Sequence, residues 1–178
     1  SPGQNLDLAR IALQWLSENW HHKSASYVIG PLLRTIGAEE EETLETALEY
    51  GVEWLDQNGG DESAHRIIYA ILDQNGIDTG TKSDGATWAL EWLGTHESSD
   101  KRHFLIFALL SNWELLSITD RRKTIEQALD IASHVIEGTG QVSLSEGGAD
   151  KLVRAVIDNE PPSDYLSEAA LLQVQLQH

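Results

Sequence analysis

The chain has 178 residues, 40% of them hydrophobic, which suits one compact domain or a short helical repeat array. Twelve Lys and Arg stand against 29 Asp and Glu, and the net charge of −17 disfavours binding to nucleic acid or to an anionic membrane. The absence of cysteine excludes disulfides, thiolate zinc sites and cysteine nucleophiles.

Three Trp-Leu pairs recur along the chain at spacings of 39 and 38 residues. A second apolar pair follows each one and ends 17 residues after the Leu of the Trp-Leu pair. A fixed internal distance at a fixed period indicates a helical repeat array. The paired positions are Trp15-Leu16 with Leu32-Leu33, Trp54-Leu55 with Ile71-Leu72, and Trp92-Leu93 with Leu109-Leu110.

The first helix of each repeat contains the Trp, because apolar residues around it follow a period of 3.6 residues. The residue three before the Trp is small (Ala12, Gly51 and Ala89), which indicates that another helix backbone approaches closely there. A short polar turn then leads into a second helix, for which Asp61 and Ser99 are N-cap candidates.

A fourth repeat is degenerate, with Val135 in place of Trp, Ala132 at the small position and Thr119 or Asp120 as the N-cap candidate. Nothing alternates as a strand would, so we expect an all-α fold of about nine helices in antiparallel pairs. The expected organisation is a single repeat domain over 1–178, with repeats at about 5–36, 39–76, 82–116 and 119–159 and a capping helix at 163–176.

The small residue before each Trp, together with the later small position at Pro31, Ala70 and Ala108, resembles the tetratricopeptide repeat. That resemblance implies a right-handed superhelix of antiparallel helix pairs. The period of 38–39 departs from the usual 34, and the terminal proline of that family is missing. The Trp-Leu pairs are also similar to helical repeats of bacterial signalling ATPases of the STAND class. The resemblance covers roughly residues 8–158 and implies a protein-interaction or sensor array.

The best candidate binding residues recur at one repeat position. His65 and His103 are equivalent, with Ser26 as their counterpart in the first repeat, and Tyr69 and Phe107 follow one helical turn later. Stacked repeats bring equivalent positions together, which predicts a His/aromatic stripe along a groove that binds a peptide. In the alternative interpretation, the two aromatic rings pack between repeats and the histidines are solvated at the edge.

The tryptophans divide into two groups. Trp15, Trp54 and Trp92 alternate with small residues at helical spacing and are predicted to form a buried ladder. Trp20 and Trp113 fall outside those positions and are candidates for exposed contacts with a partner.

Two charged runs are further candidates. Arg121 and Arg122 lie near the start of the fourth repeat, where cations oppose the helix dipole, which hints at an interaction. The acidic run Glu39–Glu42 precedes the first helix of the second repeat, where negative charge complements the dipole. Its alternative role is a docking patch for a basic partner.

We expect no metal and no cofactor. No carboxylate recurs in register beside His65 and His103, and the chain has no phosphate-binding Gly-x-x-x-x-Gly-Lys loop.

No run is apolar enough to span a bilayer and no signal-peptide pattern is present, so we expect a cytoplasmic location. The start at Ser1-Pro2-Gly3 and the lack of methionine indicate a piece of a longer polypeptide.

The sequence therefore predicts a non-catalytic protein-interaction or sensor module within a larger signalling or regulatory protein. Its partner would be a protein or peptide, including another domain of the same polypeptide. The alternatives are an α-helical enzyme with an acidic cavity and a structural oligomerisation module.

Overall fold

A computed structural model describes residues 2–37, 40–139 and 144–177 of the chain. Over these residues the protein contains nine α-helices, three short 3-10 turns and no strand, which confirms the all-α prediction. The helices are α1 (Pro2–Asn19), α2 (Ser26–Thr35), α3 (Glu41–Asn58), α4 (His65–Asp73), α5 (Thr79–Thr95), α6 (Arg102–Ser111), α7 (Ile118–Glu137), α8 (Glu146–Asp158) and α9 (Ser163–Leu176), and the 3-10 turns are Lys23–Ala25, Glu62–Ala64 and Trp113–Leu115.

The chain forms two compact units, Ser1–Thr95 with α1–α5 and His96–His178 with α6–α9. In the first unit, α1 packs against α2 and α3, α2 packs against α3 and α4, and α4 packs against α5. In the second unit, α7, α8 and α9 pack against one another, and α6 contacts α7 and α8. The boundary between the units falls between α5 and α6, inside the expected third repeat at 82–116.

Two tryptophans join consecutive repeats of the first unit in the same way. The indole Nε1–H of Trp54 donates to the carbonyl of His22 at 2.9 Å, and that of Trp92 donates to the carbonyl of Asp61 at 3.1 Å. His22 and Asp61 each lie seven residues after the Trp of the preceding repeat. Each of the two carbonyls also accepts the backbone N–H at the end of its 3-10 turn. Trp54 and Trp92 are at most 1% exposed, which confirms them as core residues.

The prediction that Trp15 completes this buried ladder is wrong. Its side chain is 39% exposed, and Leu8 and Ile11 on the same side of α1 are 65% and 62% exposed. The reason is that the Trp of a repeat is buried by the turn and second helix of the repeat before it. The described residues contain no such repeat before α1.

The small residue three before each Trp allows close helix packing, as expected. A Cβ atom at Gly51 would lie 3.2 Å from the Cγ2 of Ile67 and 3.4 Å from the Cγ2 of Ile29. Glycine therefore lets α3 lie close to both α2 and α4. The equivalent Ala89 and Ala132 are fully buried, whereas Ala12 on the open side of α1 is half-buried.

The second helices α2 and α4 lie directly against each other. A Cβ at Gly30 would come within 2.9 Å of the carbonyl oxygen of Arg66, so only glycine permits this separation. The guanidinium carbon of Arg66 lies 4.3 Å from the centroid of the Tyr27 ring. At the other end of the contact, the Gln74 amide donates to the carbonyl of Ile36 at 2.9 Å. Backbone proximity and these polar contacts together fix how α2 lies against α4.

The N-cap positions of α4 and α6 are Ala64 and Lys101, so the predicted Asp61 and Ser99 hold the turns before these helices and not the helices themselves. The Asp61 carboxylate accepts the backbone N–H of Ser63, and the Ser99 hydroxyl accepts that of Lys101 just before α6. Ser117, and not Thr119 or Asp120, caps α7. The chain is extended at Ser117 and already helical at the two predicted positions, so only Ser117 can reach an unpaired N–H of the first turn.

The fourth repeat packs without a tryptophan. Val135, at the Trp position, is half-buried, and α7 ends at Gly138, which adopts a left-handed conformation with φ of 64°. The interior of the second unit contains Leu152, Val153 and Val156 of α8, all at most 2% exposed, and Ala169 of α9. In the second unit, apolar packing among α7, α8 and α9 thus holds the helices together, whereas the first unit also uses the Trp–carbonyl bonds.

Replacing Trp54 with Phe removes the indole N–H and part of the ring volume from a fully buried position. We expect the free energy of unfolding, measured by urea titration, to fall by about 1–3 kcal/mol. Trp15→Phe is the matched control, and its exposed position should limit the loss to about 0.5 kcal/mol. Equal losses in the two variants would contradict the role of the bond between Trp54 and His22.

Candidate functional site

A groove of about 730 Å³ lies in the first unit between α3 and the segment that leads from α4 into α5. We call it the α3 groove. Its floor is apolar, since Leu44 and Ile77 are buried and Leu48 and Val52 are half-buried. Its full lining is Glu41, Leu44, Glu45, Leu48, Glu49, Val52, Glu53, Gly76, Ile77, Asp78 and Thr81.

Four glutamates at four-residue spacing form a row along one wall of this groove. Glu41, Glu45, Glu49 and Glu53 are all exposed, and among the described residues none of them forms an ion pair. Consecutive members lie about one helical turn, or 6 Å, apart. Like charges at this spacing destabilise a helix by about 0.2–0.5 kcal/mol per pair. Glu41, in the first turn, also complements the helix dipole, but the repulsion among the glutamates beyond it lowers the stability of α3.

The glutamate row is not a requirement of the repeat. Only Glu53 has an acidic counterpart in another repeat, namely Glu91 on α5. The other equivalent positions are Pro2, Leu6, Arg10 and Gln14 on α1, and Thr79, Ser83 and Thr87 on α5. Three of the four charges are thus particular to the helix that lines the groove.

Asp78 places a fifth carboxylate on the opposite wall. The Thr81 hydroxyl donates to its Oδ2 at 2.6 Å, and the backbone N–H groups of Thr81 and Gly80 donate to its Oδ1. These donors, with the Thr81 hydroxyl first, hold the pKa of Asp78 below its usual value. The carboxylate is fixed at the start of α5 and remains ionised, so both walls of the groove are negative.

The structure buries two of the residues expected to line a binding groove. Ser26 is fully buried, and its hydroxyl donates to the hydroxyl oxygen of Ser63 at 3.0 Å. His65 is 6% exposed, its Nδ1 lies 2.7 Å from the Glu62 carbonyl, and its ring centroid lies 5.7 Å from that of Trp92. Both side chains belong to the packing of the first unit, which corrects their expected place in an open groove.

Tyr69 is half-buried on α4 and takes part in contacts between α2 and α4. The guanidinium carbon of Arg34 lies 5.1 Å from the centroid of its ring. The same guanidinium pairs with Asp73 at 3.5 Å. Burial is the main cause that raises the pKa of the Tyr69 hydroxyl. These contacts fit the alternative interpretation, in which Tyr69 packs between repeats.

His103 and Phe107 belong to the second unit, whereas His65 and Tyr69 belong to the first. The Nδ1 of His103 lies 2.9 Å from the Asp100 carbonyl, its ring lies 4.1 Å from that of Phe104, and burial lowers its pKa. Phe107 is 37% exposed and lines a pocket of about 380 Å³ between α6 and α8. Each pair is therefore a local feature of its own unit.

Three of the candidate exposed contacts meet in one pocket of the second unit. Trp113, Arg121 and Arg122 line this pocket, which measures about 330 Å³. The guanidinium of Arg121 lies 5.2 Å from the Trp113 ring, and its Nε–H donates to the Trp113 carbonyl at 3.2 Å. The fourth candidate, Trp20, is half-buried in the first unit with the His21 ring edge-on at 6.1 Å.

The acidic run Glu39–Glu42 contains only one end of the glutamate row. Of the run Glu39–Glu42, Glu39 lies outside the described residues, and the last two glutamates form the first turn of α3. The four-residue spacing from Glu41 to Glu53 was a signal that could have revealed the rest. The second wall could not be foreseen, because the approach of Gly76–Thr81 to α3 depends on how α4 and α5 pack.

Within the part of the chain that the structure describes, no group of three His, Asp or Glu side chains is arranged to hold a metal ion. None of the described helices combines the length and apolar character needed to cross a bilayer.

Comparison of the chain with protein-family profiles, with curated proteins and with solved structures finds no match. The relationship to tetratricopeptide-like repeats therefore stays a prediction that depends on the spacing of the Trp-Leu pairs. Any functional conclusion has to come from the geometry of the α3 groove itself.

Replacing Thr81 with Val removes the strongest donor to the Asp78 carboxylate. We expect the pKa of Asp78, followed by NMR titration, to rise towards its ordinary value. A depressed carboxyl pKa stabilises the fold above the ordinary pKa, and this contribution is lost as the pH falls through the folded-state value. The variant should therefore be less stable at neutral pH, and the difference should vanish in acid. Thr87→Val, at an exposed site on the same helix, should leave the pKa of Asp78 unchanged.

Proposed function

We propose that this chain is a non-catalytic protein-binding module that receives a segment of a partner polypeptide in the α3 groove. One observation carries the proposal: a row of exposed glutamates, which form no ion pair with any residue that the structure describes, runs beside an apolar floor. Like charges at this spacing destabilise the helix that bears them, and three of the four have no acidic counterpart in another repeat. A role in binding explains why such a row is present.

The shape of the groove supports a polypeptide partner. The glutamate row spans thirteen residues of α3, and its first and last members lie about 18 Å apart along the helix axis. Apolar side chains flanked by charged residues at the rim are the usual arrangement of a protein–protein interface. Leu48 and Val52 are half-buried in the free protein, so a partner could remove further apolar surface from water.

The scaffold can hold such a groove in a defined shape. Trp54 ties α3 to the turn before α2, and Trp92 ties α5 to the turn before α4. The side chains of the groove lie outside these contacts. The exposed side chains among them can therefore change without disturbing the buried Trp54 and Trp92.

We further propose that the module is a tetratricopeptide-like superhelix and that it forms part of a larger signalling or regulatory protein. The partner segment would then lie on another protein or on another domain of the same polypeptide. The charge of −17 supports a protein partner over nucleic acid or an anionic membrane. The alternatives remain an enzyme with an acidic cavity and an oligomerisation module.

The proposal is tested by placing a photoreactive phenylalanine analogue at Leu48, in the floor of the α3 groove, and irradiating the protein in lysate of the source cells. We expect covalent adducts with a polypeptide other than this chain. The same analogue at Glu91, which is exposed on α5 but does not line the groove, is the control and should give few adducts. Adducts only with a second copy would favour the oligomerisation module, and equal labelling at both positions would contradict the proposed groove.

A further inference from the structure

We infer that the α3 groove binds an amphipathic α-helix that carries Lys or Arg along the edge of its apolar face. This inference rests on the proposed function, because it names the chemistry of the segment that the groove receives. It draws on three features of the first unit: the sign of the charges, the spacing of the glutamate row and the ridge of apolar side chains beneath it.

The charges of the groove call for a cationic partner. All five charged residues that line it are acidic, four on α3 and Asp78 on the facing wall. None of the four glutamates is neutralised by an ion pair within the described part of the chain, and Asp78 is held ionised by its backbone and hydroxyl donors. Cations placed between the two walls would relieve the repulsion along the row. An anionic segment would add to this repulsion, and a purely apolar segment would leave it unrelieved.

The spacing of the side chains favours a helical partner over an irregular one. Leu44, Leu48 and Val52 follow one another at four-residue spacing and form a ridge parallel to the glutamate row. Ridges of this type pack into the grooves between the ridges of a second helix, at an axial separation of about 8–10 Å. A partner with cations at four-residue spacing and apolar residues on the adjoining stripe would match both ridges at once.

Specificity has to be separated from general attraction, because a protein of charge −17 attracts any cationic peptide. Matched variants make this separation possible. Glu45→Gln/Glu49→Gln removes two charges from the middle of the row. Asp56→Asn/Glu91→Gln removes two charges from exposed positions of the same unit that do not line the groove. The two double variants have the same net charge.

The test measures the affinity of three synthetic peptides for the full chain by fluorescence anisotropy at low salt. The first has Lys at four-residue spacing beside a Leu stripe, the second has the same residues in an order without a common face, and the third has Glu in place of Lys. We expect the first to bind most tightly and to gain helicity by circular dichroism. The groove variant should weaken it about tenfold, and the control variant by less than about twofold.

Two results would overturn the inference. Equal affinity for the first and second peptides would show that a helical face is not recognised. Equal weakening by the groove variant and the control variant would show that the peptide responds only to the net charge. If photoreactive Leu48 still captures a partner polypeptide in either case, protein binding stands and only the inferred chemistry of the partner fails. Without capture and without peptide selectivity, both proposals fail.

Discussion

The bond between an indole N–H and the carbonyl of a preceding turn organises the first unit. The carbonyl of His22 or Asp61 accepts one N–H from its own turn and a second from the Trp of the next repeat, so a single oxygen joins local and long-range structure. The bond is directional, unlike apolar packing, and it therefore fixes the register between repeats as well as their proximity. Gly51 and Gly30 serve the same end, because they bring helix backbones close enough for this register to form.

The glutamate row of the α3 groove lies on a surface that does not take part in packing the helices together. Residues that hold repeats together are small or apolar and are buried, whereas Glu45 and Glu49 make no contribution of that kind. Their mutual repulsion opposes helix formation, and it is tolerated because α3 is held from its other face by Trp54 and Leu55, both at most 3% exposed. The residues that hold α3 in place and the glutamates proposed to bind a partner thus lie on different faces of one helix. This division allows the recognition face to be unfavourable for folding.

Much of the fold follows from the sequence, and the candidate site follows only in part. The period of the Trp-Leu pairs predicts the helix pairs, and the small residue at Gly51 predicts a close backbone contact, because both are local consequences of helical geometry. Trp15 has the same local pattern and yet is exposed, since its burial depends on a neighbouring repeat. His65 was expected in an open groove and is instead buried. Its burial is possible because its Nδ1 lies next to the Glu62 carbonyl, which provides a polar partner. The wall formed by Gly76–Thr81 depends on packing that no spacing reveals.

The exposure of Trp15 makes the α1 end of the first unit less well packed than its interior. Stacked repeats contribute to stability through their own folding and through the interfaces with their neighbours. Among the described residues, the pair α1 and α2 has an interface on one side only, whereas the pair α3 and α4 is held on both. In a polypeptide of these 178 residues, opening of the native state should therefore begin at α1, and protection of the backbone amides from hydrogen exchange should increase with distance from α1. The exposed indole marks the place where the cooperative structure of the unit starts to come apart.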